Sequence, residues 1–415
     1  MKFHWFAEAS YPHLPDNFRE TGDYSWVTTP WKYATPEGIG EMCHVFIRLM
    51  QQADREGFDG LAMNEHHQTP FAVTPSPNLL AATLCGTTEQ AALLIIGNSL
   101  ALYNPPVRVA EEIAWLDCLS GGRVISGQVF GTPMDTVYAY GVSPTELRDR
   151  FHEARELILK SWAAEEPFAF NGKFTQLRYV NVWPRPVQKQ PPIWVPGSGS
   201  VETWDLTLDN DYCYGHLSFS GLHSAKPMVD SFWEHVEKRG FDSNPHQLAF
   251  TQLICVGETE KEIEEKYSDA VKYFYRNRFV EPGFESPPGY RSKKSNQILK
   301  QHAKEATAAM SPELKAKANA GELDFWDYDK YGFIVAGTPE TVRQRLEELS
   351  KDLRIGQLIG CLHMGDLDEE TASMNTTLFA REVIPHLRGI WSEYEDRWTP
   401  QGRADIEADA KKRSA

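Results

Sequence analysis

Eight short runs of β-branched or apolar residues recur along nearly the whole chain, with amphipathic helical stretches between most of them. The runs are Phe3–Ala7, Gly60–Asn64, Leu93–Leu100, Val124–Val129, Ile193–Pro196, Tyr212–Leu217, Ala249–Val256 and Gln357–His363. The helical stretches include Glu41–Arg55, Arg108–Leu119, Leu147–Trp162, Lys226–Arg239 and Glu260–Tyr273. A strand that is apolar along its whole length is buried on both faces, as in parallel sheets covered by helices. Eight such units predict an α/β fold of the (β/α)8 TIM-barrel type. A doubly wound sheet is the alternative, but it needs a Gly-rich turn after the first strand. This chain reads EASYPHLPDNF there. A length of 415 residues suits one barrel with insertions.

Three segments exceed the plain barrel pattern. Residues 8–39 are long, aromatic and Pro-rich, and they follow the first strand directly, so they belong at the C-terminal face. Tyr11, Tyr24, Trp26, Trp31 and Tyr33 of this loop would help to keep a pocket dry. Residues 165–186 read as a hairpin with Asn171-Gly172 as its turn. Residues 280–331 are rich in Pro, Gly, Lys and Glu, with one helical stretch near 296–309. They are too polar for a core and long enough to reach back to the mouth, which predicts a mobile lid. One domain therefore spans 1–398, and 399–415 is a charged C-terminal tail.

Charge and composition exclude several functions. Apolar residues at 41% and charged residues at 24% are ordinary globular values, so the chain is not disordered as a whole. The 42 basic and 58 acidic side chains give 42 − 58 = −16. That balance argues against nucleic-acid binding and against an anionic membrane surface. No apolar run approaches the ~18–20 residues of a membrane span. The N-terminal MKFHWFAEAS does not read as a secretion signal, which predicts a cytoplasmic protein. The six cysteines, scattered and without a CxxC pair, read as free and mostly buried thiols rather than disulfides or a metal site.

Polar residues cluster where strands end. The second strand closes on Asn64-Glu65-His66-His67. Neighbouring side chains on a strand point to opposite faces, so only one of the two histidines can face the mouth. A His-His metal pair is thereby disfavoured, and a single imidazole suits acid/base work or hydrogen bonding to a heteroaromatic ligand. The fifth strand runs into Pro196-Gly197-Ser198-Gly199-Ser200 ahead of a helix beginning near Val201. Such a turn can offer N–H groups to an anion, although Glu202 already occupies the first helical turn. The third strand ends in Asn98-Ser99, and the fourth carries Ser126-Gly127-Gln128-Val129-Phe130-Gly131. Its glycines permit either a flat ligand or a barrel-corner bend.

Together these motifs resemble the bacterial luciferase-like, flavin-dependent monooxygenase family. The block Arg108-Val-Ala-Glu-Glu-Ile-Ala-Trp-Leu-Asp-Cys-Leu-Ser-Gly-Gly-Arg123 is similar to that family's most recognisable signature, and Glu65-His66-His67 to its Glu-His-His. Ala336-Gly-Thr-Pro-Glu-Thr-Val, Met364-Gly-Asp-Leu and Glu382-Val-Ile-Pro385 resemble its last two barrel units. The resemblance implies a TIM barrel with reduced flavin at the C-terminal mouth. It implies that His66, with Glu65, is catalytic and that His67 is structural. It places Asn98, Ser99, Gln128 and Val129 beside the flavin ring, with a cis peptide at Ser99–Leu100. It places the phosphate on Gly197, Ser198, Gly199 and Ser200. Two positions depart from the luciferases: Phe130 replaces a phosphate-binding arginine and Gly197 a glutamate. Charge assistance would then come from Arg150 or Arg185.

The implied activity is that of a two-component monooxygenase. Reduced FMN would come from a separate NAD(P)H:flavin reductase, consistent with the lack of a nicotinamide-binding fingerprint in this chain. O2 as co-substrate would oxygenate a small organic substrate through a flavin C4a-hydroperoxide. The alternatives are a deazaflavin (F420)-dependent hydride-transfer oxidoreductase on the same fold, or a non-catalytic flavin-binding protein. No metal is implied. The helix Arg108–Leu119 carries Val109, Ile113, Trp115, Leu116 and Leu119, more apolar surface than one barrel-facing stripe needs, which predicts a homodimer.

Overall fold

The computed structural model of the chain describes residues 1–217 and 219–400, with the side chains of 303–309 outside the description. The predicted charged tail lies outside the described residues from 401 onward. The strands are β1 (Lys2–Ala7), β2 (Gly60–Met63), β3 (Ala92–Ser99), β4 (Val124–Val129), β5 (Phe168–Asn171), β6 (Gln176–Val180), β7 (Ile193–Gly197), β8 (Cys213–His216), β9 (Leu248–Val256), β10 (Ile334–Gly337) and β11 (Gln357–His363). All pairings except that of β5 with β6 are parallel. The sheet runs β1-β2-β3-β4-β7-β8-β9-β11 and returns to β1, a closed eight-stranded barrel. The eight apolar runs of the sequence supply its eight staves. Helices follow the strands on the outside, as the (β/α)8 reading predicts.

β10 is a further strand that the apolar runs did not reveal. It pairs with the C-terminal half of β9, Leu253–Val256, while β11 pairs with the N-terminal half, Ala249–Leu253. Its four residues are too short a run to show a period against the flanking Tyr331-Gly332 and Gly337-Thr338.

The insertion at 165–186 is the antiparallel hairpin β5–β6, but its turn is not Asn171-Gly172. Asn171 still pairs with Gln176, and the loop is Gly172–Thr175, closed by the Gly172 N–H on the Thr175 carbonyl at 2.8 Å. The reason is a carboxylate. Glu153, on the helix Leu147–Ala163, accepts the N–H groups of Phe174 and Thr175 and holds this wider loop against the barrel.

The long insertion also has more structure than predicted. It folds into helices Lys293–Ala309, Pro312–Ala320 and Phe325–Lys330. The six cysteines form no disulfide; Cys213, Cys255 and Cys361 are buried, Cys85 is half-buried, and Cys43 and Cys118 are exposed. Among the described residues no helix is long and apolar enough to cross a membrane.

The barrel is tied to its first helix by one acid. Asp54, near the end of the helix Pro36–Arg55, accepts the N–H groups of Glu89, Gln90 and Ala91 at 2.8, 3.0 and 2.7 Å, immediately ahead of β3. A buried N–H without a partner costs roughly 1–3 kcal/mol. Asp54→Ala is expected to lower the unfolding free energy by about 2–3 kcal/mol, read from urea denaturation. A loss under ~0.5 kcal/mol would show that water replaces these bonds.

Candidate active site

Loops after β1, β2, β4, β7, β8 and β9 enclose a cavity of ≈ 280 Å3 at the C-terminal mouth of the barrel. Its walls include Glu8 and Trp26 of the first insertion, Glu65 and His66 after β2, the turn after β7, and Tyr290 and Arg291 of the long insertion, but no residue of 165–186. The long insertion therefore roofs the mouth. Of Tyr11, Tyr24, Trp26, Trp31 and Tyr33 in the first insertion, only Trp26 is in the wall. Tyr11 belongs to a separate small core with Leu14, Phe18 and Tyr273, Tyr24 stacks on Phe279, and Trp31 is exposed.

His66 and His67 diverge as expected, but not by strand alternation: β2 ends at Met63, and Asn64, Glu65 and His66 in succession all reach the cavity wall. His66 lines the cavity. His67 turns away, with Nε2 3.2 Å from Glu65 Oε1 and its ring against Tyr140. Nδ1 of His66 meets Asp135 Oδ2 at 2.8 Å. The same carboxylate accepts the Thr132 hydroxyl at 2.7 Å and the His67 backbone N–H at 2.8 Å. This leaves Nε2 as the ring nitrogen able to serve a ligand. Burial works against the charged imidazolium, but the charge and hydrogen bond of Asp135 outweigh it, helped by Glu8 and Glu65, and push the His66 pKa up to about 9. Burial likewise opposes ionisation of Asp135, yet His66, the His67 N–H and Thr132 hold its pKa below the ordinary value. The pair is a hydrogen-bonded imidazolium–carboxylate at neutral pH.

Glu65 also reaches the cavity wall, but both its oxygens are engaged inside the protein. Oε2 accepts the Tyr103 hydroxyl at 2.6 Å and the Asn98 amide at 3.3 Å, and Oε1 accepts the Ser99 N–H at 3.3 Å. Asn98 and Ser99 are buried on that side rather than in the wall, as is Gln128; Val129 lines the cavity. Ile96 and Gly97 take the place in the wall that the resemblance gave to Asn98 and Ser99. The cis peptide is at Ile96–Gly97, not at Ser99–Leu100. A register shift explains the displacement: Ile95 pairs with Ser126 and Asn98 with Gln128, so Ile96 and Gly97 together oppose Gly127. A Cβ on Gly97 would lie 2.4 Å from the Gly127 carbonyl oxygen. The glycine pair thus serves close strand packing.

The other end of the cavity is built on the turn after β7. Gly197, Ser198 and Ser200 are in its wall; Gly199 is packed against Met228 behind it. Neither Arg150 nor Arg185 is there. Arg150 is bonded to Glu146 on its own helix, and Arg185 to the Ser161 carbonyl. Arg148 lines the cavity there instead, its guanidinium 4.9 Å over the Phe130 ring with Nη2 3.5 Å from Ser200 Oγ. Its Nη1 is buried without a partner. Phe130, where the luciferases carry an arginine, is the platform on which Arg148 rests. Glu202 accepts hydroxyls from Ser200 at 2.7 Å and Ser295 at 2.6 Å. Burial opposes its charge, but these bonds and one from Ser292 bring its pKa down to about 2.

Sequence reasoning missed Asp135, Arg148 and Glu8. Asp135 lies in a π-helical turn, Met134–Ala139, and meets His66 from 69 positions away. Glu8 is buried and bonded to Asn64 at 2.6 Å; burial, only partly offset by His66, Arg278 and Asn64, raises its pKa above the ordinary carboxyl value.

A family profile described as luciferase-like monooxygenase matches residues 26–355. Limonene 1,2-monooxygenase of Rhodococcus erythropolis is 25% identical over 391 residues, 91% of this chain and 89% of that protein. The oxygenase component of a flavin-dependent trigonelline monooxygenase from Acinetobacter baylyi is 31% identical over 157 residues, 36% of this chain and 41% of that protein. Among solved structures, the oxygenating constituent of 3,6-diketocamphane monooxygenase from Pseudomonas putida, in complex with FMN, superposes with a TM-score of 0.67 at 20% identity, covering 85% of this chain and 94% of that one. An F420-dependent secondary alcohol dehydrogenase superposes at 0.59 and 18% identity, covering 93% and 99%.

The pair of His66 and Asp135 makes stability depend on pH. A histidine raised from 6.5 to about 9 stabilises the fold fully below pH 6.5 and loses that contribution as pH rises through about 9. The span corresponds to on the order of 3 kcal/mol. Denaturation at pH 6 and pH 9.5 is expected to show this loss in the parent and not in His66→Gln. An equal loss in both would mean that His66 is not the titrating group.

Proposed function

The chain belongs to the luciferase-like monooxygenases, and from that membership we propose that it is the oxygenase of a two-component system, taking reduced FMN from a separate NAD(P)H:flavin reductase and using O2 to oxygenate a small organic substrate. The observation that carries this reading is one cavity with two unlike ends: an unpartnered guanidinium nitrogen beside serine hydroxyls at one, and a charged imidazole at the other. The first suits a phosphate and the second a reacting heteroaromatic ring. Support for the reductase comes from likeness to a relative named as an oxygenase component.

Bound reduced FMN supplies the electrons that activate O2. The protein's part is binding, orientation, proton placement and exclusion of water. Arg148, Ser198 and Ser200 hold the phosphate, with Gly197 leaving the approach open. Val129, Ile96 and Gly97 flank the ring. His66 presents its Nε2 proton to the reacting region while Asp135 fixes the orientation of its ring. Glu65 is a positioning group that holds the end of β3 through Asn98, Ser99 and Tyr103. Trp26, Phe71 and the roof formed by residues 280–331 keep water out, and the roof moves as a lid.

The test is binding of reduced FMN, followed by its reoxidation. The parent is expected to bind reduced FMN, to bind riboflavin more weakly, and to slow the reaction of reduced FMN with O2 relative to free flavin. Arg148→Ala is expected to weaken FMN at least tenfold, about 1.4 kcal/mol, and to leave riboflavin unchanged. Binding of a reduced deazaflavin in preference to FMN would replace the reading with hydride transfer. Flavin binding without any effect on its reaction with O2 would leave a carrier rather than an oxygenase.

We also propose a homodimer formed through the helix Val107–Ser120. Trp115 and Leu119 are 57% and 50% exposed on it, and Leu79 on the neighbouring helix Pro77–Cys85 is 71% exposed. Light scattering at micromolar concentration is expected to give twice the chain mass, and Trp115→Glu to give the monomer. A monomeric parent would refute the dimer.

A further inference from the structure

Arg278 is a charged side chain in the cavity that the chemistry above does not use. It directly follows the helix Glu260–Asn277. Its backbone is held on both sides: its own N–H donates to the Tyr275 carbonyl at 3.3 Å, the Ser25 N–H to the Phe279 carbonyl at 2.7 Å, and the Ser25 hydroxyl to the Asn277 carbonyl. The guanidinium is half-buried and lies 5.8 Å over the Phe219 ring. Among the described residues it has no hydrogen bond from its side chain and no ion pair. Glu285 also lines the cavity but is not paired with it.

Arg278 stands at the His66 end. The two share a neighbour, since the buried Glu8 lies within the field of both His66 and Arg278, and the rings of Phe219, Phe274, Phe71 and Trp26 pack in succession between them. Burial raises the pKa of Glu8 above the ordinary carboxyl value, and its side chain is hydrogen-bonded to Asn64 rather than to Arg278. Phosphate at the other end has Arg148. A guanidinium kept free beside apolar rings, in a chain with net charge −16, lacks only its anion.

We propose that Arg278 is the specificity-determining residue for substrate and that the substrate is a small carboxylic acid. Its carboxylate pairs with the planar guanidinium through two parallel N–H···O bonds, and its apolar body packs among Phe71, Phe219 and Trp26. A monoanion is favoured over a phosphate because only one guanidinium is free there. The assignment rests on reading the cavity as an oxygenase site, since it places the acid beside His66.

The test needs no turnover. Benzoate, phenylacetate, nicotinate and cyclohexanecarboxylate are each compared with their methyl esters by tryptophan fluorescence titration, with and without FMN. The proteins are the parent, Arg278→Ala and Arg278→Lys, with thermal midpoints as the check on folding. For at least one pair, the parent is expected to bind the acid at least about tenfold more tightly than the ester. Arg278→Ala should erase that difference while keeping the ester's affinity, and Arg278→Lys should restore part of it. No preference for acid over ester in the parent, or a preference that survives in Arg278→Ala, would overturn the proposal. Reduced FMN is titrated into the same samples. An acid site without flavin binding would bring down the oxygenase reading alone, whereas flavin binding without acid preference would bring down this one alone.

Discussion

The candidate site depends on the carboxylate of Asp135. Its two oxygens gather an imidazole, a backbone N–H and a hydroxyl, and these come from two different strand–loop junctions. The loop after β2 and the turn after β4 are therefore fixed relative to each other across the mouth. A buried carboxylate with three donors is stable only as a charge, and its charge in turn keeps the proton on His66. Without it the histidine would be free to turn.

What could be read from the sequence and what could not divide along a physical line. The eight staves were legible because a strand buried on both faces has to be apolar throughout. The divergence of His66 and His67 came out as expected for a reason other than strand alternation: both lie beyond the end of β2, and Asp135 and Glu65 hold the two rings apart. Arg148 was not legible, although Arg150 on the same helix was considered, because which side of a helix meets a distant turn is a tertiary fact. The contact of Asp135 with His66 carries no local period. The hairpin loop was misplaced because Glu153, outside the hairpin, decides its width. The position of the cis peptide was misjudged because the register shift of β3 against β4 is a property of two strands and not of either one.

The proposed phosphate end has to work inside an acidic protein. The overall charge repels anions, so local cations have to act at short range. Arg148 is stacked on Phe130, which limits its motion and leaves one nitrogen bare. Glu202 sits close by, 4.0 Å from Arg148, and is held charged by serine hydroxyls. An anion entering this end meets attraction and repulsion together. Net affinity there is a difference between two larger quantities, which favours exchange over permanent retention.

Ser295 belongs to the long insertion, yet its hydroxyl donates to Glu202, and it lies 3.4 Å from Ser200 Oγ on the turn after β7. Roof and floor share one knot of hydroxyls. Lifting the roof would break the bond from Ser295 to Glu202, the same carboxylate that the turn's Ser200 uses. Departure of a bound molecule would then depend on that break as well as on its own contacts. Its residence time would reflect both the unlatching frequency and the identity of the molecule inside.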